Sequence, residues 1–206
     1  MKAGNETFRG LRRTAPNADP SSPLVVLFHG ASFSLDDWVR IGTVDMLCDN
    51  GYSSIAIDLP RGKNSKSDKI SMPNISDYIP IIEEALRSLG LNNAGSKMVL
   101  IGPSMGGAFA LSFALERKDS VQGLVLISPS TSGINEEDLE SIDIPTMLIW
   151  GERDNVFPVE THAKELKDRL SKSKLLIIKG AGHAAYLDKP AEFHELLLDF
   201  LEEISS

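Results

Sequence analysis

One serine, one histidine and one aspartate, each set close behind a glycine, are the residues of this chain whose types and spacing could do chemistry. The serine lies in Gly102-Pro103-Ser104-Met105-Gly106-Gly107. This is a G-x-S-x-G arrangement between an apolar run that reads as a strand and another that reads as a helix. A serine on so sharp a turn holds a strained backbone. The residues two before and two after it pass close by and must lack bulk, as Gly102 and Gly106 do. The turn leaves the hydroxyl exposed at a helix start, where developing negative charge is favoured. The chemistry would be attack on a carbonyl, and a hydroxyl is a weak nucleophile until a base takes its proton.

The chain has four histidines from which that base can come. His183, in Gly180-Ala181-Gly182-His183, follows a strand pattern and precedes a helix pattern, which puts it on a loop. His29 ends a strand and opens a glycine turn, a place to brace that turn. His162 and His194 fall on the polar faces of predicted helices and read as solvated. His183 is the expected general base. An imidazole in this role needs a carboxylate to fix its tautomer and stabilise its protonated form. Asp154, in Gly151-Glu152-Arg153-Asp154, follows the next strand pattern and is the expected partner. Of its competitors, Glu152 is too tight against the strand end and Asp143 precedes its strand. Asp188 reads as an N-cap before Pro190. The chain order Ser104, Asp154, His183 is that of an α/β-hydrolase, not of chymotrypsin or subtilisin.

Such a reaction also needs two backbone N–H donors for the tetrahedral oxygen. Met105, after the serine, supplies one by position. The loop His29-Gly30-Ala31 is expected to supply the other from Ala31. Aspartate-nucleophile chemistry is disfavoured by Ser104, and the scattered histidines with a single cysteine, Cys48, offer no metal site. Cys48 reads as a buried core thiol. No cofactor is expected.

Strands must hold these loops on one edge. Leu24 to Phe28, Ile55 to Ile57, Met98 to Ile101, Leu124 to Ile127, Thr146 to Trp150 and Leu175 to Ile178 are short apolar runs, as buried parallel strands are. Between them 36–49, 77–89, 105–116, 159–170 and 190–203 carry helical patterns. The segments 60–74 and 128–136 read as turn-rich joints, and Phe8 to Arg13 is a candidate edge strand. Strand and helix alternating in this way predict an α/β, doubly wound, mostly parallel sheet flanked by helices on both faces, in a single domain over 1–206. Ligands of such sheets sit at the carboxyl ends of the strands, where all three candidate residues fall.

The chain resembles the α/β-hydrolases over nearly its whole length, and more narrowly the small, lidless α/β-hydrolase-domain-containing 14 group. The similar stretches are Leu27-Phe28-His29-Gly30-Ala31-Ser32-Phe33-Ser34, Ala56-Ile57-Asp58-Leu59-Pro60, Pro103-Ser104, Lys179-Gly180-Ala181-Gly182-His183 and Tyr186-Leu187-Asp188-Lys189-Pro190. The resemblance implies a triad on Ser104, Asp154 and His183 and hydrolysis of small acyl esters. One branch of the group is associated with moving acetyl from protein lysine to coenzyme A. The run after Pro60, with Arg61, Lys63, Lys66 and Lys69, reads as a solvated basic loop.

Composition narrows the classes. The chain has 206 residues, 42% of them hydrophobic, and a net charge of −8. That acidity disfavours nucleic acid and anionic membrane as partners. No apolar run reaches membrane-spanning length, and no signal peptide is visible, so a cytoplasmic location is expected. Under twenty residues separate the strand ending at Ile127 from the one starting at Thr146, too few for a lid domain. The expected site is therefore open and suited to a small acyl-ester substrate. An acyltransferase using coenzyme A, or a non-catalytic interaction protein on the same scaffold, are the alternatives.

Overall fold

The computed structural model describes residues 9–64, 74–91 and 97–205, with the backbone of two short strands before them. Those two, β1 (Lys2–Ala3) and β2 (Glu6–Thr7), pair antiparallel. The main sheet is built from β3 (Gly10–Arg13), β4 (Leu24–Leu27), β5 (Ser54–Ile57), β6 (Met98–Pro103), β7 (Val121–Ile127), β8 (Thr146–Gly151) and β9 (Ser173–Ile178). Its order is β3-β5-β4-β6-β7-β8-β9. Only β3 runs antiparallel, against β5; every other pairing is parallel.

Side chains alternate along these strands, as the pleat requires, and both faces are apolar. Val26, Phe28 and Leu100 enter one core with Phe109 and Phe113 of α4 (Met105–Glu116) and Ile79, Ile82 and Leu86 of α3 (Ile79–Ser88). Val25, Leu27, Val99 and Ile101 enter the other, against Trp38 of α1 (Leu35–Arg40), Leu47 of α2 (Thr43–Asp49), and Phe193 and Leu197 of the closing helix α8 (Pro190–Ser205). Each such fully buried side chain is worth about 1.5–3 kcal/mol, so sheet and helices are tied from both faces.

The helix expected over 36–49 is two helices. Gly42 takes a φ of 79° between them, a left-handed conformation that ends α1 and lets α2 leave in a new direction. Apolar spacing continues across the break, which is why it reads as one. The joint after β7 contains a short helix, α5 (Glu136–Glu140), capped by Asn135, whose side chain accepts the Asp138 N–H at 2.8 Å. Ahead of the helix α6 (Lys164–Arg169), residues Val159–Ala163 form a π-helical turn. Of the candidate edge strand Phe8 to Arg13, residues Gly10–Arg13 form β3, and Phe8 lies outside the described residues. Lys66 and Lys69 also lie outside them.

Chain order and sheet order reverse at β4: the chain adds β5 on one side, then crosses to β6 on the other. Loops leaving β4 and β6 therefore part in opposite directions and open a crevice at the carboxyl edge.

Candidate active site

Ser104 stands at that crevice, between β6 and α4, with φ 48° and ψ −119°. The turn is held from three sides. The Ser104 N–H donates to the Ile127 carbonyl, and the Ser104 carbonyl accepts from the N–H groups of Gly107 and Ser130, each at 2.9 Å. A Cβ on Gly102 would lie 2.4 Å from the Gly106 carbonyl oxygen, and one on Gly106 would lie 2.7 Å from that of His29. In both cases the added Cβ would meet backbone atoms, which no side-chain rotation can move aside, so glycine is required at each position.

His29 is buried, and its bonds fix its tautomer. Nε2 accepts the Leu59 N–H at 2.8 Å, so the ring proton is on Nδ1, which donates to the Gly30 carbonyl at 2.8 Å. Burial pushes its pKa down, against the pull of that carbonyl and of Asp58. His29 is thus a neutral brace between the first loop and the turn after β5. The same turn carries Asp58, whose carboxylate accepts the Leu35 N–H at 2.8 Å and the Asn64 amide at 3.2 Å. Gly30 lies beside Ser104: a Cβ there would be 3.7 Å from the serine Cβ. The next residue, Ala31, is exposed. Among the described residues, neither the Ala31 nor the Met105 N–H donates to a protein acceptor. Met105 opens α4, where the first N–H groups have no helical partner.

Asp154 and His183 meet on the loops after β8 and β9. The imidazole Nδ1 donates to Asp154 Oδ2 at 2.9 Å, the carboxylate being fully buried. Oδ1 accepts the N–H groups of Val156 and Phe157, both at 2.9 Å. Burial alone would raise the Asp154 pKa. The bonds from His183 and from the Phe157 and Val156 amides, with the dipole of the nearby Ser128 hydroxyl, outweigh it, so the carboxyl stays ionised below its ordinary range. His183 Nδ1 is thereby occupied and Nε2 is left for other work. Among the described residues Ser104 Oγ and the imidazole make no direct hydrogen bond; such bonds are often long until substrate is bound.

The competing carboxylates have other work. Glu152 accepts the Gly180 N–H at 2.9 Å and Asp188 the Gly182 N–H at 2.7 Å, so both brace the loop that carries His183. Asp188 is therefore not the N-cap of α8: it ends the short helix α7 (Ala185–Asp188), with its carboxylate on the histidine loop. Asp143 pairs with Lys172 on the surface. His194 is not solvated either, since it is half-buried and shares a hydrogen bond with Thr43 at 2.9 Å. His162 is exposed, as expected, but its ring stacks on Phe157, whose other neighbour is the His183 ring. Beyond that pair a cavity of about 230 Å³ lies between α5 and α6, floored by Leu139, Trp150 and Leu166 and rimmed by Glu136, His162 and Arg169.

Three residues have positions that sequence alone did not single out: Phe157, Ser128 and Asp58. Asp58 accepts from Asn64 of its own turn and from the Leu35 N–H at the start of α1, and the second partner is not marked in the sequence around it. Among the described residues no group of three metal-ligating side chains comes together, and no helix is long and apolar enough to cross a membrane.

Comparison with known proteins agrees with this architecture. Residues 19–137 match the family described as serine aminopeptidase, S33, and residues 134–190 match the α/β-hydrolase fold. The chain belongs to the α/β-hydrolase superfamily. Curated relatives include ABHD14 proteins. It is 34% identical to ABHD14B of Homo sapiens, over 93% of this chain and 89% of that protein. It is also 34% identical to ABHD14A of Danio rerio, over 87% of this chain but 64% of that one. The chain thus spans less than two thirds of the length of that ABHD14A relative. Among solved structures, a CIB-like hydrolase of Thermoplasma acidophilum superposes with a TM-score of 0.84 at 29% identity, covering 98% of this chain and 96% of that one. Carboxylesterase CesB of Bacillus subtilis shares the fold at a TM-score of 0.76 and 17% identity, covering 95% and 92% of the two chains.

Proposed function

We propose that this α/β-hydrolase cleaves small acyl esters through a covalent acyl-enzyme. The observation that carries the reading is the His183–Asp154 hydrogen bond at 2.9 Å, made on the sheet edge where Ser104 is held in its strained turn. Ser104 Oγ attacks the carbonyl carbon while His183 Nε2 takes its proton. The tetrahedral oxygen is met by the N–H groups of Ala31 and Met105; losing one such donor costs about 3–4 kcal/mol of transition-state stabilisation. The imidazolium then protonates the departing alkoxide, and the acyl group remains on Ser104. Water enters, gives a proton to the same nitrogen and attacks the acyl carbon; the imidazolium then returns that proton to Ser104 Oγ as the acid leaves. Asp154 keeps the proton on Nδ1 and stabilises the imidazolium throughout.

An amine or a thiol can replace water or alcohol in the same steps. The name of ABHD14B carries protein-lysine deacylase as a candidate activity of that protein. At 34% identity, deacylation or acyl transfer to coenzyme A is the second reading for this chain. The connection from β7 to β8, residues 128–145, holds only α5 and builds no lid, which supports short acyl groups. A panel of p-nitrophenyl esters from acetate to dodecanoate, each with and without coenzyme A, tests both readings. We expect kcat/KM to be highest for acetate or propionate and to fall with chain length. A preference for the longest esters contradicts the small-acyl reading. A rate raised by coenzyme A, with acyl-coenzyme A formed, moves the assignment to acyl transfer.

A further inference from the structure

Ser128 follows β7, between the strand that delivers Ser104 and the strand that delivers Asp154. It is fully buried and, although not glycine, takes a φ of 41°. Its N–H donates to the Ile149 carbonyl at 2.9 Å and so continues the ladder, a bond any residue would make. Its hydroxyl, also buried, has no hydrogen-bond partner of good geometry among the described residues. A left-handed serine and an unmatched buried hydroxyl both destabilise the fold, and glycine would remove both penalties. Structure alone therefore gives no reason for a hydroxyl here.

Asp154 supplies one. An ionised carboxylate offers about four lone-pair sites. Three are taken, two on Oδ1 by the Val156 and Phe157 amides and one on Oδ2 by His183. We propose that Ser128 is a positioning residue for the Asp154–His183 pair, its hydroxyl turning to donate to the remaining Oδ2 site as the imidazolium forms. Ser128 is also among the groups that hold the Asp154 carboxyl ionised, together with His183 and the two amides. A donor on Oδ2 lowers the basicity of the carboxylate and keeps the shared proton on Nδ1. It leaves the orientation of His183 fixed by a carboxylate that is itself held at all four sites. The inference rests on the triad reading given above.

Ser128→Gly and Ser128→Ala test it beside wild type and Ser104→Ala, on p-nitrophenyl acetate. Losing a hydrogen bond to a charged group corresponds to about a ten- to hundredfold fall in rate. We expect that fall in kcat for both variants, with KM held. The acid limb of the pH profile should move to higher pH, because a less solvated carboxylate binds imidazolium more tightly. The other charged groups around the pair, namely Glu152, Arg153, His162 and Asp188, are the same in every variant. The melting temperature of Ser128→Gly should equal or exceed that of wild type, and the His183 Nδ1 proton resonance should shift. A Ser128→Gly variant with wild-type kcat and an unmoved acid limb overturns the proposal while Ser104→Ala stays dead. So does a kcat that falls only in step with the melting temperature. If wild type hydrolyses nothing and is indistinguishable from Ser104→Ala, the triad reading itself fails and takes this inference with it.

Discussion

His29 and His183 stand on the same sheet edge, and their surroundings give them opposite work. His29 is sealed between the Leu59 N–H and the Gly30 carbonyl, where burial depresses its pKa. A histidine whose folded pKa lies below its unfolded value binds fewer protons folded than unfolded. Its contribution is complete above the ordinary value of 6.5 and is lost as pH falls below it toward the depressed folded value. His194, also depressed by burial, acts in the same direction. Melting temperature should therefore fall as pH drops through that window. It should fall less steeply in His29→Gln, whose side-chain oxygen can still accept from Leu59. Parallel curves for the two proteins would contradict a neutral, bracing His29. Choosing His183 over the other histidines needed only its glycine-rich loop between strand and helix. The bond from His194 to Thr43 was not legible, since its partner comes from a helix far away in sequence.

Among the elements, the pattern of what could be read has a physical basis. Strands buried on both faces, such as β6 and β8, read as continuous apolar runs. The edge strand β3 carries Gly-Leu-Arg-Arg with exposed side chains and gives almost no such signal. The break at Gly42 was hidden by apolar spacing that runs through it, although a left-handed glycine is a common helix end. α5 was missed although Asn135 followed by Glu136, Glu137 and Asp138 is a helix-start signature. The glycine before the Asp154 loop is informative in another way. A Cβ on Gly151 would lie 2.0 Å from the Gly182 carbonyl oxygen and 2.6 Å from that of Ala181. The end of β8 is thus pressed against the loop that carries His183. Gly151→Ala should destabilise the protein by about 1–3 kcal/mol, several degrees of melting temperature at this size. It should lower kcat as well, because the histidine loop must move. Wild-type melting and wild-type turnover would refute this packing.

In the molecule as a whole, the reversal of strand order at β4 brings the first glycine loop and the Ser104 turn to one crevice, and β8 and β9 bring Asp154 and His183 to the same edge. That convergence was legible in sequence because each of these loops carries a glycine, demanded by a close backbone approach at Gly102, Gly106 and Gly151 and by a positive φ at Gly180. The supports were not: Ser128, Glu152 and Asp188 act on partners from other loops or other strands, and no local pattern marks such contacts. Among the described residues the 128–145 connection adds only the short helix α5 at this edge, and the cavity beside α5 and α6 lies next to it. The central claim is that Ser104 is a nucleophile activated across this edge by His183 and Asp154. Incubation of the folded protein with a fluorophosphonate, read by intact mass and peptide mapping, tests it most directly. One covalent adduct on Ser104 is expected, absent in Ser104→Ala and greatly slowed in Asp154→Asn, where loss of such a carboxylate lowers kcat by roughly 10⁴. Folded wild-type protein that takes up no label, or an adduct that persists in Ser104→Ala, would contradict it.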